Sequence, residues 1–349
     1  MKKSLFVLGV AVVALASCTN EEVVSMPEGR AIGFNSFVNN NTKAVTEVNG
    51  TNLTSFYVFG NYGEGTWTPV YTNVEVKGGA VGDDSEWTPT EVAYWEVSEK
   101  YRFAAYSNGN SSTTATFDAA RQKMTFAGYK AVDNQKDLIV AIPAELTSDA
   151  DATQNDDVNL SFYHMLSQVK FTFNTTDSKD YTMKISNVKV DNATVQADGT
   201  YTYNAAGNTI DWTGSATPGT YEFGTLNDIA EDIAPDGSTN SLALLVIPQE
   251  NTNTLNVTFT ATFWDAAHSE ESPIAKGNFK ASLAYEGQSL AQGTTANTWT
   301  PGFKYNYSVT INGSTIDPDL EEKVIKFNVE AVDGWDEATG IQPTPGVVQ

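Results

Sequence analysis

The chain has 349 residues, 40% of them hydrophobic and 11% aromatic, which is enough apolar material for two domains of ordinary size and too much for a disordered protein. Its 20 Lys and Arg stand against 43 Asp and Glu, a net charge of -23, and no basic cluster offsets this locally, so nucleic acid is excluded as a partner. A single cysteine, Cys18, excludes an internal disulfide.

At the N-terminus, Lys2 and Lys3 precede an apolar run from Leu5 to Ala16 that is short for a bilayer span, and small residues lead up to Cys18. This is the pattern of an export signal. Leu15-Ala16-Ser17-Cys18 resembles a bacterial lipobox, so residues 1–17 are read as a lipoprotein signal peptide and Cys18 as the site of acylation, for example by palmitate. Glu21 and Glu22 resemble the acidic tag of lipoproteins sent to the outer face of the outer membrane, and residues 18–30 read as a tether.

Beyond the tether the apolar pattern has period two. A polar, turn-prone run, Val38 to Val48, lies between two segments that read as strands, and Lys43 is its one cation. Val169, Phe171 and Phe173 alternate with polar residues, as do Leu255, Val257, Phe259, Ala261 and Phe263. The same holds for Tyr305, Tyr307, Val309 and Ile311, and for Ile325, Phe327, Val329 and Ala331. Turn signals stand at Ala197 ("ADGT"), Asn204 ("NAAGN"), Pro235 ("PDGS") and Ile311 ("INGS"). Only Asp118 to Lys123 looks briefly helical. The fold class is therefore all-β, with many short strands spaced as in sandwiches. An acidic, apolar-poor loop from Thr147 to Asp157 and a break at His164 to Ser167 place a domain boundary near Ser167, giving domains at 31–167 and 168–349.

Parts for chemistry are scarce. With two histidines, His164 and His268, and no Gly-rich strand-to-helix loop, catalytic triads, zinc sites and phosphate cradles lack their components, and no acidic pair is marked out for glycoside hydrolysis. No enzyme activity, catalytic residue, cofactor or metal is assigned. Asp149, Asp151, Thr153 and Asn155 have the spacing of a calcium loop, but Gln154 replaces its turn glycine and Leu160 its bidentate Glu, so the segment reads as a solvated loop. His164 reads as a hydrogen-bonded structural residue. Trp95, Trp212 and Trp264 lie in strand-like contexts where core packing is the default, with a sugar-stacking platform as the alternative.

In order, "AIGFNSF", "TNLTSFYVFGNY", "AYWEVSEKYRFAAYS", "DLIVAIPAE", "VNLSFYHMLSQVKFTF", "LALLVIPQE" and "PGFKYNYSVTI" resemble the successive segments of the Mfa-like fimbrillin family, over about Ala31 to Trp335. The resemblance implies two tandem transthyretin-like sandwiches of Greek-key type and an exported lipoprotein precursor of a type V pilus. It also implies assembly by donor-strand exchange. In that scheme Ile32, Phe34 and Val38 belong to a placeholder strand, and proteolysis in the following loop releases it. The position matching the family's cut after Arg holds Lys43, followed by Ala44, and Arg30 is the second candidate. The candidate donor strand carries Ile325, Phe327 and Val329, because Pro343 and Pro345 make the final tail a poor ladder donor. Expected partners are other fimbrial subunits, self or paralogous, a host or bacterial surface ligand, and the outer membrane through the lipid. The alternative is a non-polymerising lipid-anchored protein, namely a tip, an anchor or a glycan-binding adhesin.

Overall fold

The computed structural model describes residues 30–37, 52–78, 87–133, 135–151, 154–177, 181–229, 240–284, 294–313, 316, 323–326 and 328–334. Its strands, in chain order, are β1 (Phe34–Phe37), β2 (Ser55–Tyr62), β3 (Thr68–Lys77), β4 (Thr88–Pro89), β5 (Lys100–Asn108), β6 (Thr116–Asp118), β7 (Lys123–Lys130), β8 (Leu138–Ala141), β9 (Leu146–Thr147) and β10 (Val158–Ser161). They continue as β11 (Tyr163–His164), β12 (Ser167–Asn174), β13 (Tyr181–Thr202), β14 (Thr209–Ile229), β15 (Ser241–Val246), β16 (Asn256–Asp265), β17 (Ala275–Ser282), β18 (Phe303–Thr310), β19 (Lys323–Lys326) and β20 (Asn328–Gly334). No α-helix occurs among the described residues, and the class is all-β, as the alternation dictates.

The first half builds a sheet of order β11–β8–β5–β2–β3–β4, with β9 on β5, and a parallel pair β1–β10 lies over it. The second half faces a sheet β15–β12–β18–β20 with a larger one, β19–β17–β16–β13–β7–β6. The alternating side chains meet between these two. Phe171 of β12 sits edge-on to Phe223 of β14 at 4.7 Å, and Phe173 sits edge-on to Phe259 of β16 at 4.9 Å. Val257, Phe259, Ala261 and Phe263 are buried on one side of β16, and Tyr305, Tyr307, Val309 and Ile311 face the same core.

Two features were not visible in the alternation. The sheet of the first half is buried on both faces: Phe103, Ala105, Ile139 and Ala141 point to the core under β1, whereas Ala104, Tyr106, Leu138 and Val140 join the core of the second half. Their segments therefore read as continuous apolar runs. Moreover β13 is one long strand whose first part pairs with β16 and whose last part, Gln196 to Thr202, pairs with β7, while β14 runs along its other edge. The hairpin β6–β7 thus crosses the boundary expected at Ser167.

The local turn readings separate. Asp118 to Lys123 is the reversal of the β6–β7 hairpin, not a helical turn, because Gln122 takes a positive φ of 46° and its N–H closes on the Ala119 carbonyl at 3.3 Å. Asn204 does open a turn, closed by Gly207 N–H on its carbonyl at 2.9 Å. "ADGT" at Ala197 is instead absorbed into β13. Strands on both sides hold it extended, and Asp-Gly yields only a register slip between Ala197 and Gly199 against β7. The Pro235 signal lies outside the described residues.

Candidate functional site

The segment "RAIGF" begins the described chain and is held from both sides. Phe34 to Phe37 pair in parallel with Val158 to Ser161 of β10. On the opposite edge Ala31 bridges Tyr94 and Phe34 bridges Trp87; Ile32 N–H donates to the Ala93 carbonyl at 2.9 Å, and Trp95 N–H donates to the Arg30 carbonyl at 3.2 Å. Residues 31–37 are therefore an inner strand of a small layer, with β10 as one neighbour and the strap of residues 87–95 as the other.

Alternation drives the side chains inward. Ile32 and Phe34 are each 1% exposed. The Phe34 ring stands edge-on to Phe56 (6.1 Å) and Phe103 (5.9 Å) and tilted to Tyr71 (5.9 Å), so β2, β3 and β5 together form its socket. Burial raises the Tyr71 hydroxyl's pKa to about 12, with its hydrogen bond from Ala93 N–H acting the other way, and that bond ties the strap to the core. Trp95 lies over Tyr101 at 4.6 Å and covers the same core from the strap side. The strap exposes Val92 and Tyr94 beside Thr90 and Glu91, and Val97 is exposed just beyond it.

A charged clasp closes the N-terminal end. The Arg30 guanidinium donates to Asp157 Oδ1 at 2.7 Å and to the Asn155 carbonyl, and Asp157 immediately precedes β10. Gly33 lies close beside it: a Cβ there would come 2.4 Å from Asp157 Oδ1, so the carboxylate would have to swing aside; Val158 N–H closes the corner on the Gly33 carbonyl at 2.9 Å.

Of the sequence-derived site residues, Arg30, Ile32 and Phe34 meet here. Cys18, Val38, Lys43, Ala44 and Phe327 lie outside the described residues. Ile325 stands in β19, opposite Ala281 of β17, and Val329 stands in β20, opposite Tyr307 of β18. The sequence reading missed Asp157 and Gly33, and it passed over the strap. The signal was present in a single acid placed directly before the alternating Val158 and Leu160, but an acid in an acidic loop does not stand out.

Other polar groups are hydrogen-bonded within the fold. His164 Nδ1 lies 2.8 Å from Asp137 Oδ2, with both side chains buried, in accord with its reading as a hydrogen-bonded residue. Trp95 and Trp212 are each 5% exposed, and Trp212 Nε1 donates to the Met165 carbonyl at 2.7 Å, so these two indoles are core, whereas Trp264 is half-buried. A pocket of about 290 Å³ opens beside Trp212, Gln249 and Glu250, but the Gln249 amide is already bonded to the backbone of Thr194.

Residues 42–332 match the model of a family described as fimbrillin-like. No curated protein matches the chain. Among solved structures it is similar to a candidate cell adhesion protein from Bacteroides uniformis, with 16% identity over 87% of this chain and 98% of that one and a TM-score of 0.45. It is also similar to one from Bacteroides ovatus, at 14% identity, 88% and 98% coverage and a TM-score of 0.47. The fimbrial anchor protein Mfa2 from Porphyromonas gingivalis shows 12% identity, 80% and 90% coverage and a TM-score of 0.34.

Proposed function

The chain belongs to the fimbrillin-like family, and on that premise we propose that it is a structural or adhesive subunit of a cell-surface fimbria, exported as an outer-membrane lipoprotein acylated at Cys18 and assembled by strand exchange. The supporting observation is the seat of residues 31–37. The segment lies between β10 and the strap and fills a socket with Ile32 and Phe34. Withdrawing it opens two sheet edges and an apolar slot, which is what a strand from a neighbouring subunit needs: edges for the backbone and a socket for alternate side chains. Lys43–Ala44 is the proposed cut and lies beyond the strand, so cleavage there frees it. A cut after Arg30 leaves it in place.

Mass spectrometry of the mature N-terminus tests this, on protein sheared from the cell surface and on protein left in the membrane. Ala44 at the N-terminus of the sheared fraction is the expected result, and lipidated Cys18 in both fractions refutes it.

One observation favours a second reading. β19 and β20 pair within the chain's own sheets, with β17 and β18. If those pairings are permanent, the chain lends no strand and serves as a tip, an anchor or a ligand-binding adhesin. Retained Cys18 lipid with no multimers on the surface is the outcome that reading requires.

A further inference from the structure

Resting on the strand-exchange reading, we propose that Asp157 sets the register of the groove, and that the strand it selects is residues 323–328 of a second copy of this chain. The starting point is a likeness between the chain's two ends. Arg30-Ala31-Ile32-Gly33-Phe34-Asn35 and Lys323-Val324-Ile325-Lys326-Phe327-Asn328 share the pattern cation, x, Ile, x, Phe, Asn, and Ile-x-Phe-Asn occurs nowhere else in the sequence. Lys and Arg number only 20 among 349 residues, so a cation at the matching position in both is uncommon on composition alone.

The structure gives each shared position a function in the groove. Ile32 and Phe34 fill the apolar socket. Asn35 Nδ2 donates to Asn159 Oδ1 of β10 at 3.3 Å. Arg30 meets Asp157, whose side chain is 24% exposed. When the first strand leaves, Arg30 leaves with it, and Asp157 stays at the mouth of the groove without that cation. A strand that sets Ile325 and Phe327 in the socket brings Lys323 to the same carboxylate. A slip of one residue turns the apolar pair outward, and a slip of two carries the lysine away from Asp157. Socket and charge together admit one register.

β19 is suited to be lent. It is four residues long and, among the described residues, pairs with β17 alone at the end of its sheet, while Asn328 beyond it opens β20 opposite Ser308; its pairing is parallel, as is that of β1 with β10. The exchange thus keeps strand direction. One position differs: Lys326 takes the place of Gly33, where a Cβ meets Asp157 Oδ1 at 2.4 Å. That contact is with the end of a carboxylate, which swings aside and comes to lie between Lys323 and Lys326.

The test uses the full chain with a protease site engineered into residues 39–42, cut so that the first strand can leave, and a fluorescein-labelled peptide of residues 323–331. The peptide is expected to displace the N-terminal fragment, seen by mass spectrometry, and the peptide with Lys323→Glu is expected to bind about tenfold more weakly. Asp157→Lys reverses that preference; should it fail to fold, Asp157→Asn reduces the discrimination to less than threefold. Equal binding of the two peptides overturns the role of Asp157 while strand exchange stands. Binding of neither, in a preparation whose cut chains form multimers by electron microscopy, overturns the choice of residues 323–328 and again spares strand exchange.

Discussion

Replacing Phe34 by Ala removes the largest side chain that the N-terminal strand places in the core. The ring is 1% exposed and contacts Phe56, Tyr71 and Phe103 at 5.9 to 6.1 Å. Truncating a buried Phe costs about 3–5 kcal/mol, of which edge-on ring pairs supply about 0.5–1.5 each. If residues 31–37 open as a unit, the whole of that loss falls on the local opening equilibrium, because the sheet β11–β8–β5–β2–β3–β4 closes its own ladders without them. At about 1.4 kcal/mol per decade, amide exchange should quicken by about two to nearly four orders of magnitude. The amides to watch are Ile32 and Val158, whose bonds to Ala93 and Gly33 exist only while the strand is seated. Hydrogen exchange by mass spectrometry should show the change there and leave β12 and β16 as they were. An increase shared equally by both halves, or one below tenfold at Ile32, refutes the idea that this strand is a separable unit.

Asp157→Ala should release Arg30 from the carboxylate it holds at 2.7 Å, and limited trypsin digestion checks it: cleavage after Arg30 should rise toward that after Arg121, whose side chain is 78% exposed. The Tyr71 hydroxyl, with a pKa near 12 in the folded chain against 10 unfolded, adds stability that is complete below pH 10 and lost as pH climbs from 10 to 12. The loss is up to about 2 kcal/mol, and Tyr71→Phe should make the alkaline limb shallower by about that amount in denaturant titrations followed by tryptophan fluorescence, the other buried tyrosines supplying the rest. Gln135 makes two bonds to the backbone of Leu245, at 2.8 and 3.0 Å, on the side of β15 turned away from β12. Gln135→Ala should therefore speed exchange of the Leu245 amide by about tenfold, and an unchanged rate would show that this amide is protected by something else.

Alternation made most of the architecture legible. Val169, Phe171 and Phe173, and the runs from Val257 and Tyr305, set apolar residues on one face and polar ones on the other, and such strands declare themselves in the sequence. Ala104 to Tyr106 and Leu138 to Ala141 do not, since burial on two faces erases the period. Nor does sequence spacing show that β13 serves both halves, because pairing across a sheet is not a local property. At the site, Ile32 and Phe34 were readable through the family resemblance, which implied an inward-facing strand there. Asp157 was not: its meaning depends on Arg30, 127 residues away in the chain. The asparagines at the β13 bulges, Asn187 and Asn192, have φ of 54° and 62° and could have been suspected, since Asn tolerates the left-handed region better than most residues.

The length of β13 also bears on what happens when the molecule is pulled. A load entering through β7 reaches β13 along Gln196 to Thr202, passes down one continuous backbone, and leaves through β16 along Tyr181 to Asp191. Ladder bonds on that path lie across the strands, so a pull along them loads many bonds at once instead of peeling them singly. There is no linker on this route to stretch first. Tension applied across the two halves therefore meets a shear joint, and the first thing to yield should be a short peripheral strand such as β4, β9 or β19.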